Sequence, residues 1–291
     1  MHPTRPDSQR CRERGVTLVE LVIAMVVVAI IVGATIYFVY PLRQATDVTV
    51  RATLTDIADN ALQRIGRDVR LALPNSVRVD GTSVEFLALR TAGRYRGDGG
   101  EAVATPNCSG GVADDQLSFD IADTCLASIG ELAIAAVAND YLVLNNYGPD
   151  FTGQNAYALS GNTAKITSVD TSGSSRDLIN FESTTFQRTL HDSPGKRFFV
   201  ITGPVRYECA GGTLTRYWNY PIQTAFPPAV TTGQVSAPIA ENVTGCTFSY
   251  EQNVAPQIGL LTLRLTLSRT MSGGETETVS LYHAVHVSNV P

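Results

Sequence analysis

Glu20 is the side chain whose setting demands most of its surroundings. It heads residues 21–40, LVIAMVVVAIIVGATIYFVY, twenty residues without a charge. As a helix rising roughly 1.5 Å per residue, that run spans about 30 Å, the thickness of a bilayer's hydrocarbon core. An ionised carboxylate beside lipid costs about 2.5–3.5 kcal/mol, so a chain needing only an anchor would gain by losing it. The acid calls for a cationic partner. Elsewhere the sequence offers little chemistry. It has no Gly-rich phosphate loop, no Gly-x-Ser-x-Gly elbow and no His-Glu-x-x-His, so no catalytic residue is assigned, no enzyme is read and no cofactor is expected. His283 and His286 stand three apart on a predicted strand and point to opposite faces, which rules against a shared metal ion. Asp114, Asp115, Asp120 and Asp123 offer oxygen ligands for calcium, but without the Gly turn and terminal Glu of an EF-hand they read as solvated loop acids. Asn145, Asn146 and Asp150 are equally ambiguous. Arg90, Arg94, Tyr95 and Arg96 form the one basic-aromatic patch, a conceivable DNA or glycan contact that reads otherwise as a solvated loop. Arg96-Gly97-Asp98 is too short to carry meaning.

The elements that must hold Glu20 are a leader and a long helix. The leader carries Arg5, Arg10, Arg12 and Arg14 against Asp7 and Glu13. That excess of Arg predicts a cytoplasmic leader, with the bulk of the chain carried across the membrane. An ordinary secretory signal has an apolar core of about 7–15 residues followed by a small-residue cleavage site; here the run is longer and no Ala-x-Ala follows. A plain single-span anchor fits the length and leaves Glu20 unexplained.

Gly15-Val16-Thr17-Leu18-Val19-Glu20 resembles the cleavage and methylation motif of type IV prepilins and type II secretion pseudopilins, which usually carry Phe where this chain has Val16. The resemblance implies a membrane prepilin peptidase that cuts between Gly15 and Val16 and methylates the new N-terminus at Val16. Such an α-amine has an ordinary pKa of roughly 7.7–8 and is cationic at neutral pH, methylated or not. Four residues separate Val16 from Glu20, so one helix could pair them internally. Packed side by side, Glu20 of one copy could instead meet the Val16 amine of a neighbour, removing both charges from lipid and fixing axial register. The implied partners are the peptidase, other major and minor pilins, an inner-membrane assembly platform and the membrane itself, crossed once. The implied location is the bacterial inner membrane with a periplasmic head, and then a pilus at the cell surface.

Composition fits export. Removing residues 1–15 takes 4 of 22 basic and 2 of 27 acidic residues, leaving 18 against 25 and a net charge of −7. The only lysines are Lys165 and Lys196. An acidic surface argues against nucleic acid as a partner. Cys11 lies in the leader, which leaves Cys108, Cys125, Cys209 and Cys246, an even set in an oxidising compartment. Three connectivities are open; the sequential one, Cys108–Cys125 and Cys209–Cys246, is favoured because each pair brackets a local loop. Zinc is the rival, without the close Cys-x-x-Cys spacing it usually needs, and no metal is assigned.

Beyond Pro41 the helix pattern continues over residues 42–73. Leu54, Ile57, Ala58, Ala61, Leu62, Ile65 and Val69 recur at three- and four-residue steps, and Asp56, Asp59, Arg64, Arg67, Asp68 and Arg70 take the other face as a solvated or subunit-facing surface. Pro74 is the predicted stop. From Ser76 the chain reads as β. Asp80-Gly81 marks a hairpin. Leu261, Leu263, Leu265 and Leu267 alternate with polar residues, as do Val279, Leu281, Val285 and Val287. Further strands are expected at 198–201, 205–209, 213–218 and 243–250, and an elaborated loop or small subdomain at 91–175. The fold class is α+β, a long N-terminal helix packed on an antiparallel pilin-like sheet. The expected divisions are leader 1–15, transmembrane and assembly helix 16–41, amphipathic helix 42–74 and β-rich head 75–291. Residues 61–79, with Val205-Arg206-Tyr207-Glu208-Cys209 and Leu214-Thr215-Arg216-Tyr217, are similar to the helix-to-sheet junction and later strands of the MshO family of MSHA-pilus minor pilins and of the PilW and GspJ families. That likeness implies a low-copy subunit which primes a fibre and sits at or near its tip; the alternatives are a minor pseudopilin of a type II secretion system and a tip adhesin binding a surface, glycan or DNA.

Overall fold

Among the described residues, one α-helix and a set of mostly antiparallel strands carry the architecture. The computed structural model describes residues 16–97, 116–172, 176–187, 195–229, 231–255, 257–271 and 274–291. Helix α1 (Leu18–Arg70) runs unbroken through Pro41. The chain forms two units, Met1–Arg51 and Ala52–Pro291. In the first, Leu18–Tyr37 is long and apolar enough to cross a membrane, and none of it is buried. A helix apolar on all sides has no wet face to offer, which suits lipid.

In the second unit the helix becomes one-sided. Leu54, Ala58, Ala61, Leu62, Ile65 and Val69 are buried, while Asp56, Asp59, Arg64, Arg67 and Arg70 are exposed. Gly66 belongs to the buried stripe because a strand lies against it: a Cβ there would stand 3.0 Å from His283 Nε2 and 3.3 Å from Val285 Cγ2. Asp68 departs from the expected solvated face. Its Oδ2 accepts from Tyr207 Oη at 2.7 Å and Arg216 Nε at 3.0 Å. The helix also ends at Arg70, short of Pro74. Leu71 and Ala72 donate to Asp68 O and Val69 O in tighter turns, and Leu73 N already donates to Leu87 O in the sheet at 2.8 Å.

The hairpin at Asp80-Gly81 joins β1 (Arg78–Val79) to β2 (Ser83–Arg94). Asp80 Oδ1 accepts from the N–H groups of Thr82 and Ser83, at 3.1 and 2.7 Å, and Gly81 takes φ 92°. That is an Asx turn, with the residue lacking a Cβ at the left-handed position. Next come β3 (Arg96–Gly97), β4 (Gln116–Leu117), β5 (Ala122–Ala127), β6 (Tyr141–Val143), β7 (Thr163–Asp170), β8 (Leu178–Thr185), β9 (Arg197–Ala210), β10 (Thr213–Trp218) and β11 (Val235–Glu241). The stretch 91–175, expected as a loop or subdomain, thus supplies strands to the main sheet, ordered β1-β2-β9-β6-β7-β8-β5 with β10 and β11 branching from β9. Its Leu117, Leu126 and Leu142 share a buried core with Phe181, Phe186 and Phe198 of the segments that follow.

β9 organises that sheet. One edge pairs with β2 from Ser83↔Glu208 to Arg94↔Arg197. The other edge is divided: 206–210 pair with β10 and 199–201 with β6, so the sheet forks between them. The chain ends in β12 (Val243–Ala255), β13 (Ile258–Thr270) and β14 (Thr276–Ser288), an antiparallel three-stranded sheet. Leu261, Leu263, Leu265, Leu267, Val279, Val285 and Val287 are buried, as their alternation predicts. The fold is α+β, with the head half of α1 packed on strands.

Candidate functional site

The helix start is built by Thr17 and Glu20 together. Glu20 N donates to Thr17 Oγ1 at 3.3 Å, and Leu21 N donates to Thr17 O at 3.2 Å. Thr17 is therefore the N-cap and Glu20 occupies the third helical position, the Thr-x-x-Glu spacing of a capping box. A carboxylate there lies against the positive end of the helix dipole, worth typically 0.3–1 kcal/mol, roughly, where exposed. This role was readable in the sequence from the spacing alone. Val16 sits before the cap, outside the helix, so its spacing from Glu20 is not that of an i,i+4 helical pair. Every residue from 16 to 37 is exposed in the single chain. Thr35, within the span, turns its hydroxyl onto Ile31 O at 2.7 Å and brings no unmet donor into lipid. Gly15 lies outside the described residues.

The head's candidate residues are placed as follows. Cys209 and Cys246 are joined by a disulfide linking β9 to β12. Cys125 is disulfide-bonded as well, and Cys108 lies outside the described residues, so the pairing Cys108–Cys125 does too. Asp114 and Asp115 are likewise outside. Asp123 is not a solvated acid: it is fully buried and accepts from the N–H groups of Ser118, Thr124 and Cys125 at 2.8, 2.7 and 3.2 Å. Burial pushes its carboxyl above the usual range, against those three bonds. Asp120 takes φ 64° in the adjoining turn. Asn146 ties the end of β6 to the helix-to-sheet junction, donating to Pro74 O at 2.7 Å and accepting from Ala156 N at 2.9 Å. Asn145 is fully buried beside it, and Asp150 is exposed. The basic-aromatic patch is dispersed. Arg90 Nε is bonded to buried Asp140, Tyr95 is buried in the core around Leu117 and Phe198, and of the four only Arg94 and Arg96 face outward. His283 shares the face of Val285 and Val287 against the helix, with His286 exposed on the opposite face.

The head also holds a buried charge cluster. Glu85, 1 % exposed, takes Arg78 Nη2 at 2.5 Å and Nε at 3.0 Å on Oε1, and Tyr220 Oη at 2.8 Å on Oε2. The Arg78 guanidinium lies 3.7 Å over the Tyr157 ring and also donates to the carbonyls of Gln223, Thr224 and Ala225 at 2.8, 2.9 and 3.2 Å. Desolvation raises the Glu85 carboxyl above its ordinary value, opposed by Arg78, Tyr220 and Arg206. Burial likewise raises the Tyr157 and Tyr220 hydroxyls, so both remain neutral donors. Each member is committed to a partner within the chain, which makes the cluster a clamp on the segment after β10.

Residues 10–36 match a family model described as the prokaryotic N-terminal methylation motif, a type IV pilin-like prepilin signal. No curated protein and no solved structure matches the chain. The motif supports a type IV pilin-like or pseudopilin-type subunit, and so a structural part rather than an enzyme. It implies processing by prepilin peptidase and assembly with other pilins, and with one apolar N-terminal helix it fits a single-pass, membrane-anchored pilin.

Proposed function

We propose that this chain is a minor-pilin-type subunit which primes a type IV fibre of the MSHA kind and sits at or near its tip. One conjunction carries the reading: the methylation motif over 10–36 coincides with an apolar span that has no protein cover, headed by Glu20. Cleavage between Gly15 and Val16 would remove the leader and leave a cationic, methylated amine on Val16. In a bundle of such helices over residues 16–41, that amine on one copy would meet Glu20 of the next, withdrawing both charges from lipid. The position of Val16 outside its own helix favours a partner on another copy. A head of about 240 residues, bulky for repeated packing around a thin fibre, favours a low-copy terminal place.

The motif serves a secretion pseudopilin equally well, and deletion separates the two. A fibre primer leaves enzyme secretion intact and strips the surface of fibres; a pseudopilin does the reverse. Glu20→Val should block incorporation while the head retains its melting transition. Normal incorporation of that variant sinks the charge-pairing mechanism.

A further inference from the structure

Among the described residues, β14 closes its sheet with one edge open. All 13 of its residues pair with β13, from Ile258↔Ser288 to Thr270↔Thr276 without a register shift, and no strand lies on its other side. The ends of that ladder show which backbone groups are left over. Met271 N donates to Glu275 O and Asn289 N to Gln257 O, each at 2.8 Å. Bonded and non-bonded pairs alternate in an antiparallel ladder, so odd-numbered residues of β14 bond to β13 and even-numbered ones turn their N–H and C=O groups away from it. Those alternate residues, from Thr276 to Ser288, are all exposed. Other edges are defended. β11 carries Pro238, β5 is interrupted between Asp123 and Cys125, and the β12 edge meets the β1–β2 hairpin, where Phe248 N donates to Gly81 O at 2.8 Å. β14 has no such device: it contains no Pro, Gly, Lys or Arg, and its one acid is Glu277.

We propose that the outer edge of β14 docks an extended polypeptide segment of another protein, which adds to the sheet as a fourth strand. A row of N–H and C=O groups recurring at every second residue is matched in spacing by another extended backbone. What flanks the row sets the chemistry of the segment. On the wet face, rows of hydroxyls run across the sheet and end at this edge: Ser268 Oγ lies 2.9 Å from Thr278 Oγ1, and Thr266 Oγ1 donates to Ser280 Oγ at 3.0 Å. On the packed face, Val279 and Val285 are buried while Leu281 stays half-buried. The segment that fits alternates hydroxyl-bearing residues beside Thr278 and Ser280 with apolar ones beside Leu281, and it has no proline. A second head brought to this edge must also fit its own α1, which lies on β14 where Gly66 meets His283 and Val285; a lone segment carries no such burden. The edge needs only the folded head and stands apart from the assembly reading.

The probe is a capped, fluorescein-labelled octapeptide, Lys-Thr-Val-Thr-Val-Thr-Val-Lys, added to the full chain in lauryldimethylamine oxide micelles. Its anisotropy should rise saturably, with a dissociation constant of about 10–100 μM. At saturation, hydrogen exchange should slow at the amides of Thr278, Ser280 and Tyr282, while those of Val279 and Leu281 are slow throughout. Ser280→Pro removes an outward N–H without touching the β13 ladder and should weaken binding at least about tenfold. N-methylation of two adjacent central amides of the peptide should weaken it at least about as much, with the protein itself unaltered. The proposal is overturned if no saturable binding appears up to about 1 mM, if bound peptide leaves exchange at 278, 280 and 282 unchanged, or if either alteration leaves the affinity as it was. It is overturned equally if those three amides are already slow without peptide and sedimentation shows the chain paired through this edge.

Discussion

Replacing Arg78 by Met tests whether the buried cluster is electrostatically balanced. The substitution keeps an unbranched apolar stem and removes the guanidinium that meets Glu85 at 2.5 Å, with its bonds to the carbonyls of 223–225. Glu85 is 1 % exposed and cannot be rescued by water without opening the sheet. Leaving one member of a buried ion pair uncompensated costs about 3–5 kcal/mol near neutral pH. For a head of this size each kcal/mol lowers the melting temperature by about 2–4 °C, so a fall of roughly 6–20 °C is expected. The sign with pH discriminates. Burial already holds the Glu85 carboxyl above its ordinary value of 4.5, with Arg78 the largest opposing influence. The native state therefore keeps a proton that the unfolded chain releases, and this contribution is full below about pH 4.5 and fades as pH rises through the native value. Without Arg78 the carboxyl rises further, and once protonated it needs no counter-charge. The deficit of Arg78→Met should be large at about pH 7.5 and should shrink at about pH 4.5, leaving only the lost carbonyl bonds and ring stacking. Near-ultraviolet circular dichroism melts of the full chain in detergent measure both, with Arg78→Met/Glu85→Gln expected to recover part of the neutral-pH loss. An equal deficit at the two pH values, with no recovery in the double variant, refutes the reasoning.

Thr17→Val deletes the N-cap hydroxyl and should cost about 1 kcal/mol of helix stability, seen as faster hydrogen exchange at the amides of Leu18, Val19 and Glu20 with the head unchanged. Cys209→Ser opens a disulfide that closes 37 residues, and the chain-entropy relation gives a loss of about 4 kcal/mol, read as a melting shift that reductant should exceed in the parent chain, where it opens the Cys125 disulfide as well. Gly66→Val places methyl groups where a Cβ alone would stand 3.0 Å from His283, and overpacking of about 1–3 kcal/mol should lower the melting temperature; Gly66→Ser should lower it less.

What could be read from the chain follows from where the pairing partners lie. Leu261 to Leu267 alternate with polar residues because one face of β13 is buried and the other wet, and the stripe from Leu54 to Val69 repeats at helical spacing for the same reason. Arg78 and Glu85 were within reach too. The Asp80-Gly81 hairpin sets the register Arg78↔Glu85, an opposite-charge cross-strand pair. Tyr220, 135 residues from Glu85, carries no local signal. Strand β6 is three residues long, and its partner Val200 lies far along the chain from Leu142, so no window of sequence holds both halves of that pairing. The arginine patch misled for a related reason: Arg90 looked outward only until Asp140, 50 residues away, was brought beside it.

The cap at Thr17 changes how much the assembly interaction has to supply. A lone carboxylate at the centre of a span costs about 2.5–3.5 kcal/mol, an upper bound for Glu20 at the span's end, and the helix end against which Glu20 lies returns about 0.3–1 kcal/mol where exposed and up to 2 where water is scarce. On the proposed reading, a single processed subunit is thus left with at most about 1–3 kcal/mol unmet at Glu20. That remainder is what the Val16 amine of a neighbour can relieve, a bias of at most roughly five- to 150-fold per contact toward the packed bundle. A larger deficit would hinder a free subunit from residing in the membrane at all. A smaller one would give the bundle no register, since a purely apolar seam slides without penalty. On the same reading, the acid at position 20, three residues after a capping Thr, would leave an isolated subunit tolerable in lipid and an assembled one better matched to it.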